Sequence, residues 1–193
     1  MARVLLVEEL DERAQLVREG LLRAGHEVVG AISSPFGLLE AIERTRADII
    51  VIATDSPTRD AIEHLCVVSH SSPRPIVMFS GDQRSASIRE AVRAGVSAYV
   101  VDDLDPARVR SIMEVAVARF EAFQKMRDDL AEANDRLEER KLVERAKGLL
   151  MSARSLSEDE AYHALRKLAM AKQIRLADVA QQVIDTAALL GKA

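Results

Sequence analysis

Apolar residues along the first hundred positions come in short unbroken runs separated by stretches of helical spacing. RVLLV from Arg3 to Val7, HEVVGAI from His26, ADIIVIA from Ala47, PIVMFS from Pro75 and SAYVV from Ser97 read as five strands. Between them lie segments whose apolar residues recur every three or four positions, as with Leu10, Ala14, Val17, Leu21 and Leu22 ahead of Gly25. Further helices are expected from about Pro35 to Thr45, through AIEHLCVVS, and from about Arg84 to Ala94. Strands rich in Val and Ile that alternate with helices predict an α/β doubly wound five-stranded parallel sheet covered on both faces.

The pattern changes after Asp105 and Pro106. No Gly or Pro follows until Gly148, and Ile112, Ala116, Phe123, Met126, Leu130, Ala133 and Leu137 fall at alternating steps close to three and four. That spacing is the seam of a coiled coil, interrupted at Arg119 and Arg140. The predicted dimer seam is Phe123, Met126, Leu130, Ala133 and Leu137, and it implies a parallel homodimer, because the stripe extends past any sheet that could cover it.

Three blocks of helical spacing close the chain: Leu142, Ala146, Leu149 and Leu150; then Ala161, Leu165, Leu168 and Ala169; then Leu176, Val179, Ala180, Val183, Ile184 and Ala187. Ser157 stands three residues before Glu160, the spacing of a reciprocal helix-start cap, and Gly191 stands where a left-handed cap ends the last helix. A small all-α three-helix bundle follows. The expected division is 1–108 for the sheet domain, 109–140 for the coiled-coil helix and 141–193 for the bundle.

Charge separates these parts. Residues 141–193 hold 9 Lys or Arg against 6 Asp or Glu, and the residues before them 18 against 25, within an overall charge of -4. An acidic body with a mildly basic tail fits an anionic partner for the tail. No apolar run approaches the roughly 18 residues of a membrane span, so a cytoplasmic protein is expected. Cys66, the one cysteine, reads as a buried small hydrophobe. The four His are scattered, no phosphate-binding glycine loop occurs and no nucleophile has a recognisable base partner. No catalytic residue, metal site or cofactor is assigned, and an enzyme is not expected.

In a parallel sheet the functional crevice lies beyond the carboxyl ends of the strands, which directs attention to Glu8, Glu9, Ala53, Thr54, Asp55, Ser80, Gly81 and Asp102. The order and spacing resemble the receiver domain of two-component response regulators over about Arg3 to Phe120. By that resemblance Glu8 and Glu9 stand for the acidic pair and Ser80 for the hydroxyl. The phosphoacceptor position falls on Ala53, a methyl group, and the Lys position falls on Asp102, a charge of the wrong sign. Asp55 is the remaining carboxylate for an acceptor, also readable as a turn residue before Ser56 and Pro57. A degenerate receiver that serves as a protein-docking surface is the expectation.

AKGLLM, SLSEDEAYHALRKLAM and LADVAQQVI, between about Glu139 and Leu190, resemble the ANTAR domain, the RNA-binding module of bacterial transcription antiterminators. Degenerate receiver, coiled coil and ANTAR module in one chain resemble that family's arrangement, and SPTRD and GVSAYVVDD look most like its NasT type, which serves nitrate and nitrite assimilation. The resemblance implies a dimer that binds paired stem-loops in a nascent leader transcript, prevents the terminator hairpin, and is held inactive by a nitrate-sensor protein partner. The cations available for RNA are Arg145, Lys147, Arg154, Arg166, Lys167, Lys172 and Arg175, with Tyr162 able to stack on an unpaired base and His163 beside it. Lys147, Arg166 and Lys167 are favoured as lying off the apolar stripe. The rival readings are a DNA-binding response regulator, since RLADVAQQVI resembles the first helix of a helix-turn-helix, and a protein-interaction adaptor without nucleic-acid binding.

Overall fold

The computed structural model describes residues 1–8, 12–101, 105–189 and 191. The expected Val- and Ile-rich runs form five strands: β1 (Arg3–Glu8), β2 (Glu27–Ile32), β3 (Ile49–Thr54), β4 (Ile76–Ser80) and β5 (Ala98–Val101). They pair in parallel in the order β2-β1-β3-β4-β5. Helices α1 (Glu12–Arg23), α2 (Leu38–Thr45), α3 (Arg59–Ser71) and α4 (Ser85–Arg93) make the crossovers. The chain then enters α5 (Val109–Arg154), followed by α6 (Glu158–Lys172) and α7 (Leu176–Leu189).

Alternation along the strands divides the core into two layers. Leu5, Val7, Ile50, Ile52, Ile76 and Met78 face α2, α3 and α4, where Leu38, Ile42, Leu65 and Val68 meet them. Val4, Leu6, Ile49, Val51, Val77 and Phe79 face the other way, against Val17 and Leu21 of α1 and Val109, Met113 and Ala116 of α5. Cys66 is half-buried rather than buried, and packs at the margin of the first layer.

Chain contacts divide the molecule into two compact units, Met1–Gln124 and Lys125–Ala193. Helix α5 contributes to both and runs without interruption through the position of the expected joint at residues 140 and 141. Neither Gly nor Pro stands near that position to break it. In the second unit Ala146, Leu165, Ala169, Val179, Ala180 and Ile184 form the core, with Leu142, Leu149, Leu176 and Val183 packed around it. Leu168, expected on the apolar stripe, lies outside this core and is exposed.

The caps follow the sequence. Ser157 and Glu160 form the reciprocal pair, Ser157 Oγ accepting from the Glu160 N–H at 3.3 Å and Glu160 Oε2 from the Ser157 N–H at 2.9 Å. Gly191 takes φ 67° and its N–H donates to Ala188 O at 3.2 Å. Gln173 ends α6 in the left-handed region at φ 56°. Among the described residues the seam side chains of α5 are largely uncovered: Phe123, Met126, Leu130 and Leu137 are 58%, 67%, 61% and 50% exposed.

Gly20 lies in α1 where that helix meets the start of α5. A Cβ there would overlap the side chain of Val109, which is fully buried, and would stand 3.2 Å from Pro106 Cα. In an open helix Gly→Ala gains about 1 kcal/mol, whereas overpacking a core costs roughly 1–3 kcal/mol. Gly20→Ala is therefore expected to destabilise the sheet unit, and urea denaturation of the variant beside the parent chain checks the sign.

Candidate functional site

Two places collect the residues singled out by the sequence, and each lies within one unit. The first is the carboxyl edge of the sheet. Glu8 ends β1, is nearly buried and pairs closely with Arg18 of α1. Glu9 and Asp102 lie outside the described residues. Ala53 lies next to the end of β3 and is 1% exposed, its methyl turned into the apolar layer shared with α1 and α5. Asp55, in the loop after β3, is 75% exposed at its side chain, and its Oδ1 stands 3.5 Å from Arg13 Nε. A pair this open to solvent contributes little to stability.

Ser80 is fully buried at the end of β4 and serves as a clasp between loops. Its hydroxyl donates to Asp55 O at 3.2 Å and accepts from the Asp82 N–H at 3.1 Å. Sequence reasoning passed over Asp82. Its carboxylate is almost buried and accepts from Arg84 Nη2 at 2.7 Å, Arg84 Nε at 3.0 Å and the Arg84 backbone N–H at 2.9 Å. The Arg84 side chain, then its backbone N–H, and then the Ser87 side chain hold this carboxyl far below the usual carboxylate range. Tyr99 O–H donates to Asp82 O at 2.9 Å, so the loop after β4 is tied to β5 as well. The signal was present as an Asp two residues before the Arg that opens α4. Among the described residues no three His, Cys, Asp or Glu side chains gather at metal-ligating spacing.

The second place is the three-helix unit. Arg145, Arg154, Arg166 and Lys167 are exposed and make no ion pair among the described residues. Lys172 donates to Gln182 Oε1 at 2.8 Å. Arg175 stands against Asp178 at 3.1 Å and Glu139 at 3.2 Å. Tyr162 is 38% exposed, edge-on to His163 with ring centroids 6.2 Å apart. Tyr162 and Arg175 line one open groove of 590 Å³ with Arg136, Arg140, Val143 and Leu176.

Lys147 departs from its expected position off the apolar stripe. It is 7% exposed, and its ammonium donates to Glu144 Oε1 at 2.8 Å and to Glu158 Oε1 at 2.7 Å. Both carboxylates raise the Lys147 pKa, and Lys147 in turn lowers that of Glu158. The reason is local. Lys147 follows Ala146, a core residue, and its stem lies along the bundle while its head reaches the first turn of α6. Lys147 thus joins α5 to α6, and the solvent-facing cations are the other members of the set.

Comparison with known proteins assigns this unit. Residues 131–184 match the ANTAR domain family. That stretch of the chain is ANTAR-like. The match spans the end of α5, all of α6 and most of α7, and so coincides with the three-helix unit and its cations. Over 184 residues the chain is 29% identical to the transcriptional regulatory protein PdtaR of Mycobacterium tuberculosis, covering 95% of this chain and 90% of PdtaR. It is 42% identical over 67 residues to the nitrate regulatory protein of Klebsiella oxytoca, covering 35% of this chain and 17% of that protein. The sheet unit is similar in fold to the signal receiver domain of a modulated diguanylate cyclase from Desulfovibrio desulfuricans G20, with a TM-score of 0.55, 19% identity, and coverage of 63% of this chain and 98% of that one. A sheet unit with the receiver fold therefore precedes the stretch that matches the ANTAR domain. No helix among the described residues is long and apolar enough to cross a membrane.

The Lys147 clasp has a pH signature. Because the pKa of Glu158 is lowered in the fold, its contribution is present above the ordinary glutamate value of 4.5 and lost as pH falls through the depressed value. Glu158→Gln is expected to lower the thermal midpoint of the ANTAR helices at pH 7, and the gap from the parent chain is expected to close on acidification below 4.5. Circular dichroism melts across that range read both effects.

Proposed function

We propose that this chain is an RNA-binding transcription antiterminator that acts as a dimer on stem-loops of a nascent leader transcript and prevents formation of the terminator hairpin. The observation that carries the reading is the ANTAR match over residues 131–184, on a unit whose Arg145, Arg154, Arg166 and Lys167 face solvent without ion pairs among the described residues. RNA loops are bound by cations that hold phosphates beside flat side chains that stack on unpaired bases. The name of the PdtaR relative, a transcriptional regulator, is consistent with it.

Dimerisation through Phe123, Met126, Leu130, Ala133 and Leu137 completes the reading. The exposed seam at coiled-coil spacing supports it, since a second copy would bury the stripe. In this proposal the three functional segments are 1–108, 109–140 and 141–193, and the paired helix sets the distance between two RNA-binding units. Control rests with a protein partner that docks on the receiver-like domain, because Ala53 offers a buried methyl at the phosphoacceptor position. The partial likeness to a nitrate regulatory protein and the NasT-like stretches SPTRD and GVSAYVVDD favour a nitrate sensor as that inhibitory partner.

A gel shift against leader RNA with paired stem-loops, with matching duplex DNA as competitor, tests the reading. RNA preference is the expected outcome. Preference for DNA would favour the DNA-binding rival, and binding to neither the adaptor. Arg166→Ala with Lys167→Ala is expected to weaken RNA binding about tenfold or more and to flatten its salt dependence by roughly 0.7 in slope per lost phosphate contact. Leu130→Glu is expected to give monomers in sedimentation equilibrium where the parent chain gives dimers. Acetyl phosphate with magnesium is expected to leave the intact mass unchanged, whereas an adduct mapped to Asp55 would return control to phosphorylation.

A further inference from the structure

We infer that the groove lined by Arg140, Val143, Tyr162, Arg175 and Leu176 is the seat of a single unstacked RNA base, with Arg140 on its phosphate and the Tyr162 ring against its face; this rests on the RNA reading above. The groove has 590 Å³ of open volume, within the roughly 300–1,000 Å³ of clefts that take small ligands. Val143, Leu176 and Ala177 supply its apolar lining, and Tyr162 also lines it, with over a third of its surface free. A flat, part-exposed ring beside apolar side chains suits a nucleobase, which presents a π-face whatever its identity.

Charge pairing decides where the phosphate goes. Two carboxylates line the groove, and each already has a cation: Glu144 is held by Lys147 at 2.8 Å and Glu139 by Arg175 at 3.2 Å. Arg136 is engaged by Glu132 at 2.6 Å. Arg140 alone among the lining cations makes no ion pair among the described residues, so an anion entering the groove meets one uncompensated guanidinium. A planar fork of donors is well matched to phosphate oxygens.

The same assignment accounts for an anomaly in the sequence. The seam positions Phe123, Met126, Leu130, Ala133 and Leu137 step by three and four, and the next step lands on Arg140. An arginine there breaks the apolar stripe at the point where α5 begins to line the groove. Arg166 lies four residues beyond Tyr162 on α6, one turn along the same face, where it can hold the neighbouring phosphate. Arg166 then extends the base seat along α6.

The test uses the full chain and a pool of RNA hairpins with a fixed stem and a randomised loop. Hairpins enriched by the parent chain are resynthesised with 2-aminopurine at each loop position in turn. The expected result is quenching at one position on binding, lost in Tyr162→Leu and kept in Tyr162→Phe, with affinity reduced about tenfold or more in Tyr162→Leu and Arg140→Gln at unchanged helicity. Arg140→Gln is also expected to leave the sedimentation mass unchanged. If both variants bind the enriched hairpins as tightly as the parent, the groove is not the seat, although the chain still binds RNA. Loss of binding in Arg140→Gln together with dissociation to monomers would place Arg140 in the dimer contact and overturn its role here. Failure of the parent chain to enrich any hairpin would remove the RNA reading and this inference together.

Discussion

One helix has to furnish core residues to two separate units. Near its start α5 supplies Val109, Met113 and Ala116 to the sheet domain, and near its end it supplies Ala146, Leu149 and Leu150 to the ANTAR domain. Between those ends Phe123, Met126, Leu130 and Leu137 are each at least half exposed among the described residues. The 46-residue element therefore carries three different sequence demands in succession, and its composition follows them. Where it packs on the sheet, its packed face is apolar. Where it is unaccompanied it is dense with charged pairs such as Glu132 with Arg136 and Glu138 with Lys141. An isolated helix of this kind gains only a few tenths of a kcal/mol from each such pair, so its two packed ends do most of the holding.

The ANTAR domain shows how a cation is taken out of the binding inventory by its neighbours. Lys147 sits among the basic residues and matches the same sequence pattern as the solvent-facing ones, yet it is enclosed between Glu144 and Glu158. Removing the lysine would leave two carboxylates of α5 and α6 facing each other. A change at Lys147 that weakens RNA binding would thus report on the α5–α6 joint as much as on any contact with a phosphate. Arg166 and Lys167 carry no such ambiguity, because neither has an ion pair among the described residues.

Much of this was legible in the sequence for identifiable reasons. Strands buried on both faces must be continuous apolar runs, and those runs located all five strands to within about two residues. The Ser157–Glu160 spacing and Gly191 marked helix ends because caps depend on local geometry. What escaped was non-local. Glu158 is eleven residues from Lys147 across a joint, and no helical spacing links them. Asp82 lies outside the positions that the receiver resemblance directs one to inspect, although it accepts from three donor groups of Arg84. The groove escaped for the same reason, since Arg140 on α5 and Tyr162 on α6 become neighbours only when the helices pack.

The bare stripe from Phe123 to Leu137 has a thermodynamic consequence beyond geometry. Under the pairing proposed above, the surface it covers is withdrawn from water only when a second chain arrives. The order of the middle of α5 then obeys mass action: it rises with the amount of protein present and is marginal in a dilute cell. Synthesis of the chain would itself act as an input, because doubling its amount raises the paired fraction before any signal is sensed.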